Sequence, residues 1–149
     1  MSILRSDTQV ALNDLHRTLQ ESADHYSYAA DTLQDAAASD ACKKIAEERR
    51  ALAGQAADAI RLTGELPGEP DPDREAAEQI RERFEAMIGD DEVSAVVAHR
   101  LQGEEELLRI LEREVSPVLG ESHSALLVQC RESIARARRL LGSLDADGG

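Results

Sequence analysis

Two charged residues one helical turn apart, Arg100 and Glu104, interrupt a row that is otherwise apolar, with Val93, Val96 and Val97 before them and Leu108 and Leu111 after. A carboxylate that faces a protein interior can ligate a hard metal ion or pair with a cation. Arginine suits the second role, because its planar fork binds two carboxylate oxygens at once and never sheds its proton. Three further charges fall where they can join this pair. Glu48 and Arg49 lie just either side of an inward stripe, between Ile45 and Leu52, and Arg138 sits at the edge of the inward face of the last helical segment. For Glu48, Arg49 and Arg138 an equal alternative stands: charges on interface flanks whose stems run along apolar surface while their heads reach water. Arg100 and Glu104 are central in their row, which weakens that alternative for them. One unpaired charge in such a place would cost several kcal/mol, so the set must pair or reach solvent.

The elements that must position these residues are helices. The 149 residues match one ordinary domain, with 42% apolar but only 2% aromatic residues and frequent alanine, a balance suited to closely packed helices rather than a sheet. Asp7 can cap a helix over 8–37, whose apolar row Leu12, Leu15, Leu19, Ala23, Tyr26, Ala30 and Leu33 steps by three and four. Ser39-Asp40 reads as a turn and cap before a second helix over 41–63, with Ile45, Leu52, Ala56, Ala59 and Ile60 inward and Gly64 at its end. So short a connection predicts an antiparallel hairpin. The stretch from Gly64 to Asp73 holds three prolines and opens a short helix over 72–88, carrying Ala77, Ile80, Phe84, Met87 and Ile88 on one stripe. A helix over 92–115 follows, broken by Ser116-Pro117, and a last one spans 122–144 with Leu127, Cys130, Ile134, Ala137 and Leu141 inward. Residues 1–6 and 145–149 are expected to be flexible. The spacing favours an all-α four-helix bundle of two hairpins in which the short helix carries the chain from one end to the other, so that the second and fourth helices run parallel; a plain up-down bundle is the alternative. With that crossover and a rise of ~1.5 Å per residue, Glu48, Arg49, Arg100 and Arg138 fall about 9–12 Å from the same end, and Glu104 roughly one turn deeper.

From Leu12 to Leu141 the chain resembles the bacterial ferritin-like four-helix-bundle family of unknown function. Leu12-Asn13-Asp14-Leu15, Asp24-His25-Tyr26 ahead of Ala29-Ala30, Ala46-Glu47-Glu48-Arg49 and Gln102-Gly103-Glu104 carry the likeness, together with the short helix between the hairpins. The resemblance implies a fold whose active superfamily members hold two metal ions between helices, and implies no established reaction. It puts Asp24 at an acidic position of the family and Arg138 near a position where a histidine is expected.

A di-iron bundle needs a carboxylate from each of two helices and a Glu-x-x-His from each of the other two. No Glu-x-x-His occurs here. At 100° per residue His25 and His99 fall on outward faces, His16 at the edge of the first stripe, and His123 inward but at the start of the last helix. Asp24 projects off the apolar stripe. The expectation is therefore a degenerate metal site filled by Arg–carboxylate pairs, with no cofactor; the alternative is an iron-binding, oxidase-type bundle using Glu48 and Glu104.

Other chemistry is poorly served. No glycine-rich phosphate loop is present, and the serines at 22, 27, 133 and 143 are not read as nucleophiles served by a histidine base. Cys42 and Cys130 form no CxxC pair and read as buried thiols in a reducing cytoplasm, although the helix N-terminus and Lys43 could lower the pKa of Cys42. A net charge of −13 disfavours nucleic acid and anionic lipid surfaces as partners. Met1 to Val10 lacks a signal-like pattern, and no apolar run approaches the ~18 residues of a membrane span. The expectation is thus a non-enzymatic ferritin-like bundle that works by binding or assembling. It could form a homo-oligomer through Phe84 and Met87, Tyr28 or the alanine-rich outer faces, or present its acidic faces to a basic protein partner. The blander alternative is that Phe84 and Met87 simply cover the core.

Overall fold

The computed structural model describes residues 6–68 and 92–147, together with Glu78, Gln79 and Glu82. Among these residues the chain is all-helical, with no strand. The helices are α1 (Asp7–Thr32), α2 (Ala36–Leu62), α3 (Glu92–Ile110), α4 (Ser116–Leu119) and α5 (Ser124–Asp147), with a π-helical turn, Leu111–Val115, joining α3 to α4. The expected short helix over 72–88, with Phe84 and Met87, lies outside the described residues apart from Glu78, Gln79 and Glu82.

Local chemistry moves several boundaries from those expected. Ser6, not Asp7, caps α1: its hydroxyl accepts from the Gln9 N–H while the Gln9 side chain accepts from the Ser6 N–H, a reciprocal capping box. The helix stops at Thr32 because Asp35, rather than Asp40, caps α2 by accepting from the Ala38 N–H at 2.8 Å. Ser39 then sits inside α2 and donates back to the Ala30 carbonyl at 2.6 Å, which closes the end of α1 from across the turn. Ser116-Pro117 does not end its helix. Proline removes one N–H from the ladder, and the π turn takes up the misfit, with the Ser116 N–H bonded to the Leu111 carbonyl. Arg131 of α5 braces that turn through Glu112 and the Ser116 hydroxyl. At the C-terminal end, Asp145 to Asp147 remain helical.

Cross-helix contacts set the directions. Glu48 meets Arg136, Arg49 meets Ser133 and Gln55 meets Gln129, so α2 and α5 are antiparallel. His25 stacks on His99 while Thr18 shares a cleft with Ile110, so α1 and α3 are antiparallel too. Asn13 bonds Glu65 and Asp24 pairs with Arg50 across the α1–α2 hairpin, and Ser94 bonds Asp145 across α3 and α5. It follows that α2 and α3 point the same way, and the chain enters α3 at the end opposite to where it leaves α2. Around the assembly the order is α1, α2, α5, α3, which leaves α2 and α3 facing each other diagonally across the interior.

The interior is divided along its length. One apolar cluster gathers Leu12, Leu15, Leu19, Leu52, Ile60, Leu111, Leu119, Leu127 and Ile134; a second gathers Tyr26, Ala29, Leu33, Cys42, Ile45, Val96, Val97 and Leu141. Each enclosed leucine or isoleucine contributes about 1.5–3 kcal/mol, so the clusters drive assembly of the four long helices. Between them lies the charged layer. No helix among the described residues is long and apolar enough to cross a membrane.

Candidate functional site

Arg49 is the centre of that layer. It is fully buried, as is Glu104 at 1% exposure, and the two form a bidentate pair across the diagonal from α2 to α3. Arg49 Nη1 donates to Glu104 Oε2 at 2.8 Å and Nη2 donates to Oε1. The remaining edge of the fork is also engaged: Nε donates to Ser133 Oγ at 2.9 Å and Nη1 to Ser22 Oγ at 2.8 Å. Arg49 therefore ties all four long helices together. Burial alone would lower its pKa, but the hydrogen bonds and charge of Glu104 outweigh that and raise it.

The second interior arginine is held differently. Arg100, 4% exposed, does not pair with Glu104 although both lie on α3. Its Nη2 lies 3.0 Å from His99 Nδ1 and 3.1 Å from His25 Nδ1, and its Nε donates to His99 Nδ1 at 3.2 Å. The two imidazoles stack 9° from parallel with centroids 6.0 Å apart. Arg100 also lies over the Tyr26 ring at 5.2 Å, and Arg49 approaches the same ring at 5.8 Å. Burial lowers the pKa of Arg100, and the groups around it do not restore it. Among the described residues the enclosed layer thus holds two guanidinium groups and one carboxylate. The enclosed Tyr26 hydroxyl has no hydrogen-bond partner among the described residues, and burial, with the Glu104 charge nearby, pushes its pKa up.

The other expected members stand at the margin or outside. Glu48 is partly exposed and pairs with Arg136 at 2.8 Å, and the hydrogen bonds and charge of that partner, with a bond to Ser133, outweigh burial and hold its pKa low. Arg138 is exposed and takes no place in the layer. Positions 136 and 138 flank the inward Ala137 on opposite sides, and α2 covers the flank that carries Arg136. The expected outward placement of His25 and His99 is corrected as well: both are half-buried, because the flanks of α1 and α3 meet. His123, expected inward, is half-buried beside the Ser122 hydroxyl. Sequence reasoning missed Ser22, Ser133 and Tyr26 as partners. The signal was present in part, since Ser22 and Ser133 each neighbour an inward residue, Ala23 and Ile134.

Cys42 and Cys130 are free and buried, and burial pushes both thiols up to about 11. The lowered pKa expected for Cys42 does not arise, because α2 begins at Ala36 and carries Cys42 into its second turn, beneath the apolar cluster. His16 is likewise enclosed, at 5% exposure, and burial followed by the Arg61 charge lowers its pKa from 6.5. A base depressed in this way is neutral in the fold; its contribution to stability is complete above the unfolded value and is lost as pH falls toward the folded one. The unfolding free energy from urea titrations should therefore fall as pH is lowered from 7.5 to 5.5, by up to about 1.4 kcal/mol per pH unit from this group. His16→Gln should flatten that slope, and equal slopes would acquit His16.

The residues do not fit a two-metal centre. Both oxygens of Glu104 are taken by a cation, Glu48 turns toward Arg136, and among the described residues no three His, Cys, Asp or Glu side chains are grouped to hold a metal ion. A cleft of about 610 Å³ between α1 and α2 is lined by His16, Asp24, Arg50 and Leu66 and by no member of the charged layer. A smaller one of about 150 Å³ between α1 and α3 has Arg100 in its wall. Comparison with protein-family models, curated proteins and solved structures finds no match, so the chemistry of this interior, rather than likeness, bears on what the chain does.

Proposed function

We propose that this chain is a non-enzymatic helical protein of ferritin-like type that works by binding or assembling, with Arg49 standing where a metal-bearing relative would hold its ions. The observation that carries the reading is the buried bidentate pair of Arg49 with Glu104. A guanidinium at the centre of the bundle fills the space, balances the carboxylate and repels a divalent cation. The parallel course of α2 and α3 fits the single long crossover of ferritin-like bundles. Two enclosed thiols with raised pKa values suit a reducing compartment such as the cytoplasm.

Native mass spectrometry and metal analysis after anaerobic iron loading test this directly. The expected result is iron at background in the wild type and in Glu104→Ala alike. Stoichiometric iron kept by the wild type and lost in Glu104→Ala would replace this reading with an iron-binding bundle using Glu48 and Glu104.

A further inference from the structure

The charged layer is unbalanced, and the excess charge faces a cavity. Arg49 engages all three of its nitrogens with Glu104, Ser22 and Ser133, whereas Arg100 spends Nε and Nη2 on two imidazoles. Its Nη1 makes no hydrogen bond among the described residues and is not among their enclosed, unpartnered polar atoms. The guanidinium-bearing Arg100 lines the cleft between α1 and α3. Gly103 forms part of its wall, and a Cβ at Gly103 would sit 3.1 Å from both terminal nitrogens of Arg100. The missing side chain thus keeps a path open to the guanidinium.

The rest of the lining limits what can enter. Leu107 and Ile110 provide an apolar wall, Ser22 a hydroxyl, and Glu21 and Glu106 stand exposed at the rim. Glu106 is paired with Arg109, so it is Glu21 at the mouth that repels a dianion such as phosphate more strongly than a monoanion. About 150 Å³ suits a molecule of only a few heavy atoms. We propose that this cleft binds a short-chain monocarboxylate, its carboxylate on Arg100 Nη1 and its alkyl part against Leu107 and Ile110. Such a ligand brings the layer to two cations and two anions, and a charge-assisted bond to a desolvated guanidinium is among the stronger hydrogen bonds available. This inference deepens the reading above by naming a ligand for the same interior. The two tests fail separately, because iron content reports on Arg49 and Glu104 whereas the titration below reports on Arg100.

The test is a titration of the ¹⁵N-labelled full chain with sodium propionate at constant ionic strength, following the Arg100 Nε–Hε signal and the Gly103 amide. Both should shift and saturate. Propionamide, of the same shape without charge, should move neither, and Gly103→Ala should weaken binding at least tenfold by placing a methyl group over Nη1. Ile110→Phe fills the cleft from the same helix two turns beyond Gly103, and serves equally if the alanine variant does not fold. A linear drift without saturation, an equal response to propionamide, or undiminished binding in the folded filling variants would each overturn the proposal.

Discussion

Glu104→Gln should destabilise the fold by about 3–5 kcal/mol, although it changes neither side-chain shape nor volume. The substitution leaves two enclosed guanidinium groups, Arg49 and Arg100, with no enclosed carboxylate in their layer. Glu48 cannot substitute, since it is partly exposed and engaged by Arg136. In a chain of this length such a loss lowers Tm on the order of 10 °C. Arg49→Met should cost less, because Arg100 sits one turn from Glu104 on the same helix and can turn toward the abandoned carboxylate. Combining Arg49→Met with Glu104→Leu removes both charges, and the double variant should be more stable than Glu104→Gln, since an apolar replacement of a whole buried pair is often neutral. Urea denaturation of the three proteins settles the matter. A double variant no more stable than Glu104→Gln would mean that the pair contributes packing alone.

Arg100→Met should have the opposite sign, with stability rising by about 1–3 kcal/mol. Arg100 is buried without an ion-pair partner among the described residues, burial lowers its pKa, and its two imidazole partners are half-buried and able to bond water once released. Glu104 keeps both of its bonds to Arg49. The urea midpoint should therefore rise with an unchanged denaturant slope. A loss exceeding about 1 kcal/mol would show that the Tyr26 and histidine contacts hold Arg100 favourably and would weaken the case for an unbalanced layer. A side chain that costs stability where it stands is the pattern expected of a binding group, so a stabilised Arg100→Met protein that no longer responds to propionate would unite both results.

How much of this was legible beforehand varied with the interaction involved. The inward rows of α1 and α5 could be read residue by residue, because Leu12, Leu15, Leu19, Tyr26, Leu127, Ile134 and Leu141 repeat with the helical period and all are buried. The interior placement of Arg100 and Glu104 followed from the same period. Boundaries were less legible, since Asp7, Asp35 and Asp40 are chemically equivalent caps. The choice fell to Asp35 where Ser39 could also reach back to the Ala30 carbonyl. Pro117 misled for a related reason: a helix can absorb a proline by widening one turn, and Arg131, fourteen residues further along, braces that widening.

By itself the amino-acid order determined the helical character of the chain, the apolar face of each long helix and the presence of charges in the middle of those faces. These are local properties, set by backbone geometry and by the spacing of residues along one helix. Tertiary structure alone decided the partnerships. Glu104 went to Arg49 and not to its neighbour Arg100, Glu48 went to Arg136 and not Arg138, and two histidines on separate flanks met over Arg100. A helix knows its own faces from its sequence, but which flank is covered, and by what, depends on the order in which four helices close around a shared interior.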